Sequence, residues 1–415
     1  MSAHPLPARM PPGGILARPE VRTAFDLLDA DGEEARLVGG AVRNSLIGMP
    51  PGDIDIATTA LPRVVMKRAR KAGLRALPTG IEHGTVTLLV EGTSIEVTTL
   101  REDIDTDGRR ATVTFGRSFA HDARRRDFTM NALYADREGR VIDEVDGLPD
   151  LAARRVRFIG DPETRIREDY LRILRLFRFH AAYGEGPLDR AALTAAIRLR
   201  DGLARLSSER IRAELLKLLA ARRAAEVVPE VAESGLFGRI LPVAPDPRAF
   251  ARVKLGGEAE PVGLLAALAV RITEDATLLR ERLRLSNAET ARLEALAAII
   301  EALHSRPVVP KVLRRLAHRH GSETVRLAAS IVLARRGAGA AEAAVVTAAL
   351  AEPLPPLPFT GARVLAAGVK PGPQVGRTLA AAERLWLDAG MPTDDEACRA
   401  ILTAALAETA GPGPA

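Results

Sequence analysis

Only one cysteine, Cys398, occurs in 415 residues, so no internal disulfide can form and no paired-cysteine metal framework exists. Nothing therefore points to an oxidising compartment, and the cytoplasm is the expected location. The seven histidines are too dispersed to suggest a zinc site. Aromatic residues are also scarce, at 3%, while Ala and Leu fill most of the 47% hydrophobic share. That composition suits closely packed helices better than a β-sandwich. No apolar run approaches the ~20 residues of a membrane span. The longest, PVGLLAALAV at 261–270, stops at Arg271, so no membrane association is expected. The opening MSAHPLPARMPPGG has no apolar core of signal-peptide length and reads as a disordered leader over residues 1–14.

What is present in excess is positive charge: the formal net charge is +6, the pI is near 9.9, and Arg greatly outnumbers Lys. A polyanionic partner fits this balance, and so does a general preference for arginine. The chain is too long for one ordinary core and is expected to divide.

Residues 15–150 mix short strands with helices, as in the alternating stretches GTVTLLVEG (84–92) and TSIEVTTL (93–100). Beyond Asp150 the strand signal disappears. After VRFIGDP, Asp161 can cap a helix and Pro162 sits in its first turn, and the pattern stays helical almost to the end. The expected fold is thus an α+β head over 15–150 followed by an all-α remainder. Pro- and Gly-rich breaks at 182–189, 241–248 and 352–361 divide that remainder into parts at 151–240, 241–355 and 356–410.

Within the head, PPGDIDIATTA (50–60) alternates Asp53 and Asp55 with Ile54 and Ile56. Residues two apart on a strand share a face, and two unpaired carboxylates so close repel each other unless a divalent cation holds them. Mg²⁺ suits such a pair, because it accepts a few carboxylates plus substrate phosphates. A bare DxD reads more readily as a strand edge or turn. The preceding LVGGAVRNSLIG (37–48) shifts that balance, since it reads as strand, Gly-Gly turn and helix, a place where backbone N–H groups can meet phosphate. Glu96, alternating with Ile95 and Val97, is a candidate third acid on a neighbouring strand, or simply an exposed strand residue.

GGAVRN followed by GDIDIAT resembles the head motif of class II tRNA nucleotidyltransferases and bacterial poly(A) polymerases, members of the polymerase β superfamily. ARRRDFTMNAL (123–133), VDGLPDLAARRVRFIGDP (145–162), REDYLRILRLFRF (167–179) and SSERIRAELLKLL (207–219) resemble the family's later motifs in order. The resemblance covers roughly residues 20–220. It implies a small polymerase β-like sheet in the head, a helical neck at 151–240, and an RNA-binding body and tail. Two departures stand out: Asn44 where the family usually has Asp, and DEVDG at 143–147 where it usually has DPxGG.

The segment REDYLRILRLFRFHAAYG (167–184) is expected to form one helix, with Asp169 and Arg172 three apart and Arg175 and Arg178 continuing the stripe. Cytosine and adenine each present an exocyclic amine beside a ring-nitrogen acceptor. An Asp accepting from the amine and an Arg donating to the ring nitrogen would take CTP and ATP and refuse UTP and GTP. The resemblance implies the same use of Asp169 and Arg172, nucleotide binding by Arg175 and Arg178, and matching nucleotide-binding positions at Gly40, Arg43 and Arg126. Asp127 and Asn131, four apart, are candidates to order that site, and helix capping explains Asp127 as well.

The activity so implied is addition of C, C and A to tRNA 3′ ends from CTP and ATP. The alternatives are poly(A) synthesis and a catalytically silent RNA-binding relative. Poly(A) polymerases of the family tend to carry a longer basic C-terminal extension, and residues 101–127 resemble the family's flexible loop for the switch from C to A. Both features favour CCA addition. PKVLRRLAHRHG (310–321) and GARVLAAGVKPGPQVG (361–376) are candidate tRNA-backbone contacts, or solvated helix faces. His121 and Asp122 spell HD without the partners of a hydrolase metal site, and no protein partner is expected.

Overall fold

Short alternating stretches between Gly-containing turns build the sheet, and the computed structural model describes residues 6–104, 112–257 and 259–410. In chain order the head runs α1 (Pro19–Leu28), β1 (Ala35–Val38), α2 (Gly40–Leu46), β2 (Ile54–Thr58), α3 (Pro62–Lys71), β3 (Arg75–Gly80), β4 (Thr85–Val90) and β5 (Thr93–Thr99). It continues with β6 (Arg101–Ile104), β7 (Thr112–Phe115), α4 (Phe119–Arg124), β8 (Leu133–Ala135), β9 (Val141–Asp143) and α5 (Gly147–Ala152). Seven strands form one sheet in the order β3-β4-β5-β2-β1-β8-β9, while β6 and β7 pair separately. The expected α+β head followed by helices is what the chain forms.

Among the described residues only β2 and β5 pair in parallel, with Asp55 opposite Glu96 and Ile56 opposite Val97. A parallel pair needs a crossover, and α3 with the β3–β4 hairpin supplies it. The period of two then sorts the faces. Ile54, Ile56, Val86, Leu88, Ile95 and Val97 are buried on one side, against which α1 and α3 pack. Asp55, Glu96 and Thr87, aligned across β2, β5 and β4, take the other side.

The leader departs from expectation. Met10 N–H donates to the Gly139 carbonyl at 2.8 Å, Val141 N–H donates to the Ala8 carbonyl at 2.9 Å, and Met10 is buried. Strand β9 ends the sheet, and residues 8–10 pair with its first residue and with the turn before it.

Helices α6 (Pro162–Glu168), α7 (Leu171–Tyr183), α8 (Arg190–Arg198), α9 (Ser208–Ala220), α10 (Ala224–Glu233) and α11 (Phe237–Ile240) follow the head. Asp161 caps α6 by accepting from Thr164 N–H, with Pro162 in the first turn, as its sequence suggests. The change near residue 150 is one of secondary structure, not of packing: the chain divides into compact units between Ile240 and Leu241, so head and neck helices share the first. The second unit holds α12 (Pro247–Leu255) through α21 (Asp395–Thr409). There PVGLLAALAV forms a core helix, Pro261–Ala269, buried from Val262 to Ala269. No described helix is long and apolar enough to cross a membrane.

Gly202 lies where a Cβ would stand 1.9 Å from Tyr170 Cδ1. Gly202→Ala is expected to cost about 1–3 kcal/mol through overpacking. Thermal or urea unfolding checks this, and an unchanged midpoint would contradict the packing.

Candidate active site

Gly39, with φ +70°, turns the chain from β1 into α2, a conformation that favours glycine over residues carrying a Cβ. Gly40 then opens the helix, and Arg43 lies in its last turn. Arg43 is buried. Its Nε and Nη2 donate to Asn44 Oδ1 at 3.0 and 2.8 Å, and Nη1 donates to Asn131 Oδ1. Its guanidinium lies 3.8 Å from the centroid of the Tyr183 ring. Burial, with the nearby Arg178 and Arg175 charges, brings its pKa down to about 10.

Asn44 explains one sequence departure. Its Nδ2 donates to the Pro50 carbonyl at 2.8 Å while its Oδ1 accepts from Arg43. A carboxylate could accept from Arg43 but could not donate to Pro50. The amide therefore ties α2 to the turn that delivers Asp53. The second departure is also accommodated: Asp143 accepts from the N–H groups of Val145, Gly147 and Leu148, and Asp146 adopts φ +59°. A Cβ at Gly147 would lie 2.3 Å from the Thr129 carbonyl oxygen, so the glycine of that loop is required.

Asp53 stands exposed on the bend before β2, and Asp55 on the strand itself is half-buried. Burial first and the neighbouring Glu96 second raise the Asp55 pKa to about 6; Asp53 adds to this, and Arg126 opposes it. Glu96 is exposed. Among the described residues no three His, Cys, Asp or Glu side chains converge into a metal cage, so Glu96 adjoins the pair without closing one. A hard divalent ion fits this donor set, in which two carboxylates leave coordination positions for substrate phosphates.

Arg126 lies beside the Gly39 turn, its Nη1 3.8 Å from where a Cβ on that glycine would stand. It donates to Asp122 Oδ2 at 3.0 Å and to the Tyr134 hydroxyl at 3.3 Å, and the same Asp122 oxygen accepts from Tyr134 at 2.8 Å. Burial alone would depress the Arg126 pKa, but Asp122 and Tyr134 outweigh it and raise it. The HD dipeptide thus has a use that its sequence does not announce: Asp122 is the buried counter-charge for Arg125 and Arg126.

The arginine helix needs correction. It is two helices, not one: α6 ends at Glu168, Asp169 has φ −153° and ψ 106°, and α7 begins at Leu171. An extended residue cannot share a helical face with Arg172, and the two side chains take different partners. Asp169 Oδ1 accepts from Leu171 N–H at 3.1 Å and Oδ2 from Arg210 at 2.6 Å. Arg172 donates to Glu168 at 2.6 Å and to the carbonyls of Arg165 and Arg125 at 3.1 and 3.2 Å.

Arg175 donates to Asp127 Oδ2 at 2.7 Å, and Asn131 Nδ2 donates to the other oxygen at 3.1 Å. Burial pushes the Asp127 pKa up, yet Arg175 and these hydrogen bonds hold it below the usual range. Arg178 pairs with buried Glu214, whose other oxygen lies 3.7 Å from Arg175. Sequence reasoning missed Glu214, although an acid among the leucines of ERIRAELLKLL was a visible signal.

In the second unit, Lys311, Arg315 and Arg319 are exposed on the helix Pro310–His320. Arg315 pairs with Asp388 at 2.7 Å. Residues 361–376 form a helix, a turn and the start of another helix, as expected. The loop expected over 101–127 falls partly outside the described residues.

Residues 35–157 match the poly A polymerase head domain family, and 188–246 match the family described as the probable RNA and SrmB-binding site of polymerase A. Over 389 residues the chain is 34% identical to the CCA-adding enzyme of Lacticaseibacillus paracasei, covering 91% of this chain and 95% of that one. It is 37% identical over 276 residues to the mitochondrial CCA tRNA nucleotidyltransferase 1 of mouse, covering 65% of this chain but 63% of that one. The matched length is thus under two thirds of the mouse protein. Among solved structures, the Bacillus stearothermophilus CCA-adding enzyme in complex with CTP superposes with a TM-score of 0.74 at 28% identity, covering 94% of this chain and 99% of that one. The chain belongs to the tRNA nucleotidyltransferase/poly(A) polymerase family of CCA-adding enzymes.

Because the folded pKa of Asp55 lies above its unfolded value, its ionisation opposes folding above about pH 6, and the penalty vanishes below about pH 4. Asp55→Asn should therefore stabilise the protein at pH 7–8 by about 2–3 kcal/mol at most. Divalent cations should stabilise the parent and not the variant. Melting temperatures between pH 4 and 8, with and without Mg²⁺ or chelator, check both outcomes.

Proposed function

We propose that the protein adds C, C and A to tRNA 3′ ends from CTP and ATP, releasing pyrophosphate. The geometry that carries nucleotidyl transfer is the half-buried Asp55, paired in register with Glu96, beside Asp53 and within reach of the Arg126 charge. The choice of CCA addition over poly(A) synthesis is supported by bacterial relatives named CCA-adding enzymes that align nearly end to end. The reaction is assigned to the cytoplasm, in keeping with the single buried Cys398.

In this reading Asp53 and Asp55 hold Mg²⁺, with Glu96 supporting the site from the next strand. Magnesium bound there supplies Lewis acidity that favours the ionised 3′ hydroxyl and neutralises the leaving pyrophosphate. The 3′ oxygen bonds to the α-phosphorus as the bond to the β-phosphate oxygen breaks. Gly40 and the start of α2 offer backbone N–H groups to the triphosphate, and Arg126, fixed by Asp122 and Tyr134, supplies charge to it. Arg43 braces α2 and the Asp53 turn from beneath, which is how a buried guanidinium serves the nucleotide. Asp169 and Arg172 read the base from either side of the helix break, and Arg175 and Arg178 line the nucleotide's other side.

Incubation with Mg²⁺, CTP, ATP and a tRNA ending at its discriminator base should give a product three nucleotides longer. A long A-tract would support poly(A) synthesis instead, and no product would support a silent relative. Asp53→Ala should lower incorporation by at least about a thousandfold while tRNA binding persists. Arg172→Ala should raise UTP and GTP incorporation relative to CTP and ATP by about tenfold or more, read from single-nucleotide kcat/KM ratios.

A further inference from the structure

Between Asp55 and Glu82 the chain carries no acidic residue and six basic ones: Arg63, Lys67, Arg68, Arg70, Lys71 and Arg75. Helix α3 buries Val65 and Ala69 against the sheet and turns its charges outward. Arg68 is spent within the fold, donating to the carbonyls of Leu28 and Ala30 and pairing with Asp31 at 3.0 Å. The other five are exposed, and among the described residues none of them forms an ion pair. Arg117, Arg126 and Arg137 of the same unit each face a carboxylate, whereas here five cations without one are gathered on one helix and the strand that follows it.

The spacing is ordered as well. Arg63, Lys67, Arg70 and Lys71 recur at intervals of four, three and one, which aligns them along one side of the helix over about 12 Å. Arg75, at the start of β3, extends the patch beyond the helix end. Five uncompensated cations so close repel one another. That cost is repaid by contact with a polyanion that releases its counterions.

The location excludes the reacting end of the substrate. Helix α3 packs on the face of the sheet that carries Val86 and Leu88, whereas Asp55 and Glu96 alternate to the opposite face. A phosphate on α3 therefore cannot belong to the nucleotide being transferred.

We propose that the outer face of α3, with Arg75, is a second RNA-docking surface that holds duplex phosphate backbone away from the catalytic carboxylates. RNA is chosen because the patch is cationic and has no exposed aromatic side chain for base stacking, which suits backbone contact. The choice of polyanion rests on the tRNA reading above, and the test separates the two.

The test compares the parent with a variant in which Arg63, Lys67, Arg70 and Lys71 are all changed to Gln. Binding of full-length tRNA is measured across 50–300 mM KCl, alongside kcat on a short acceptor hairpin ending at the discriminator base. The expected result is a log–log salt dependence shallower by about 3 and tRNA affinity at least tenfold weaker at low salt, with hairpin kcat unchanged. Matching melting temperatures show that the variant folds, as exposed positions predict; should it not, the single changes Lys67→Gln and Lys71→Gln are each expected to reduce the slope by about 1. Unaltered affinity and slope alongside normal hairpin extension would overturn the docking surface while leaving the function intact. Binding of anionic vesicles by the parent, lost in the variant while tRNA affinity holds, would overturn it in favour of a membrane. Failure of the parent to extend the hairpin would overturn the functional reading instead, and the salt dependence of tRNA binding would still decide the surface.

Discussion

Buried guanidinium groups are tolerable only when each meets an acceptor, and this requirement organises the first unit. Arg43, Arg175 and Arg178 converge around the Phe179 ring, at 5.3, 5.1 and 4.1 Å from its centroid. Their mutual repulsion is offset by Asp127 and Glu214, two buried carboxylates from different segments, and by the aromatic faces of Phe179 and Tyr183. Asp127 comes from the loop after α4 and Glu214 from α9, so satisfying the arginines joins the strand-rich part to the helices that follow. One set of charge pairs thus shapes the site and unites the unit.

The same economy governs the carboxylate side. Asp55 is partly withdrawn from water and set beside Glu96, an arrangement unfavourable for a lone protein and, in the proposed function, offset when a cation and a triphosphate bind. Arg126 is held nearby by Asp122 and Tyr134, so a positive charge stands ready without neutralising the pair outright.

Much of this was legible in the sequence because it follows from periodicity. Alternation of Ile54, Asp55 and Ile56, and of Ile95, Glu96 and Val97, requires the carboxylates to leave the apolar face, and only the parallel register of β2 and β5 had to be learned from the structure. The break at Asp169 was not legible, because REDYLRIL has a helical pattern and no Pro or Gly. The Asp169 side chain competes for the Leu171 N–H and ends the first helix from within. Nor could periodicity reveal partners farther along the chain, such as the Tyr134 hydroxyl for Asp122, or Glu214 for Arg178. The anchoring of residues 8–10 is illegible in sequence for the same reason, since a sheet edge is a tertiary fact.

The parallel pairing of β2 with β5 also has a kinetic consequence. Asp55 and Glu96 are neighbours across a crossover of 41 residues that holds α3 and the β3–β4 hairpin. The Asp127–Arg175 pair closes a further loop of 48 residues. Closing such loops is slow relative to local helix formation, because chain entropy is lost before the contact repays it. The repelling carboxylates and the arginine pair thus carry a larger closure cost than the local helices around them, and the apolar residues of the same strands, Ile56 and Val97, help to meet it.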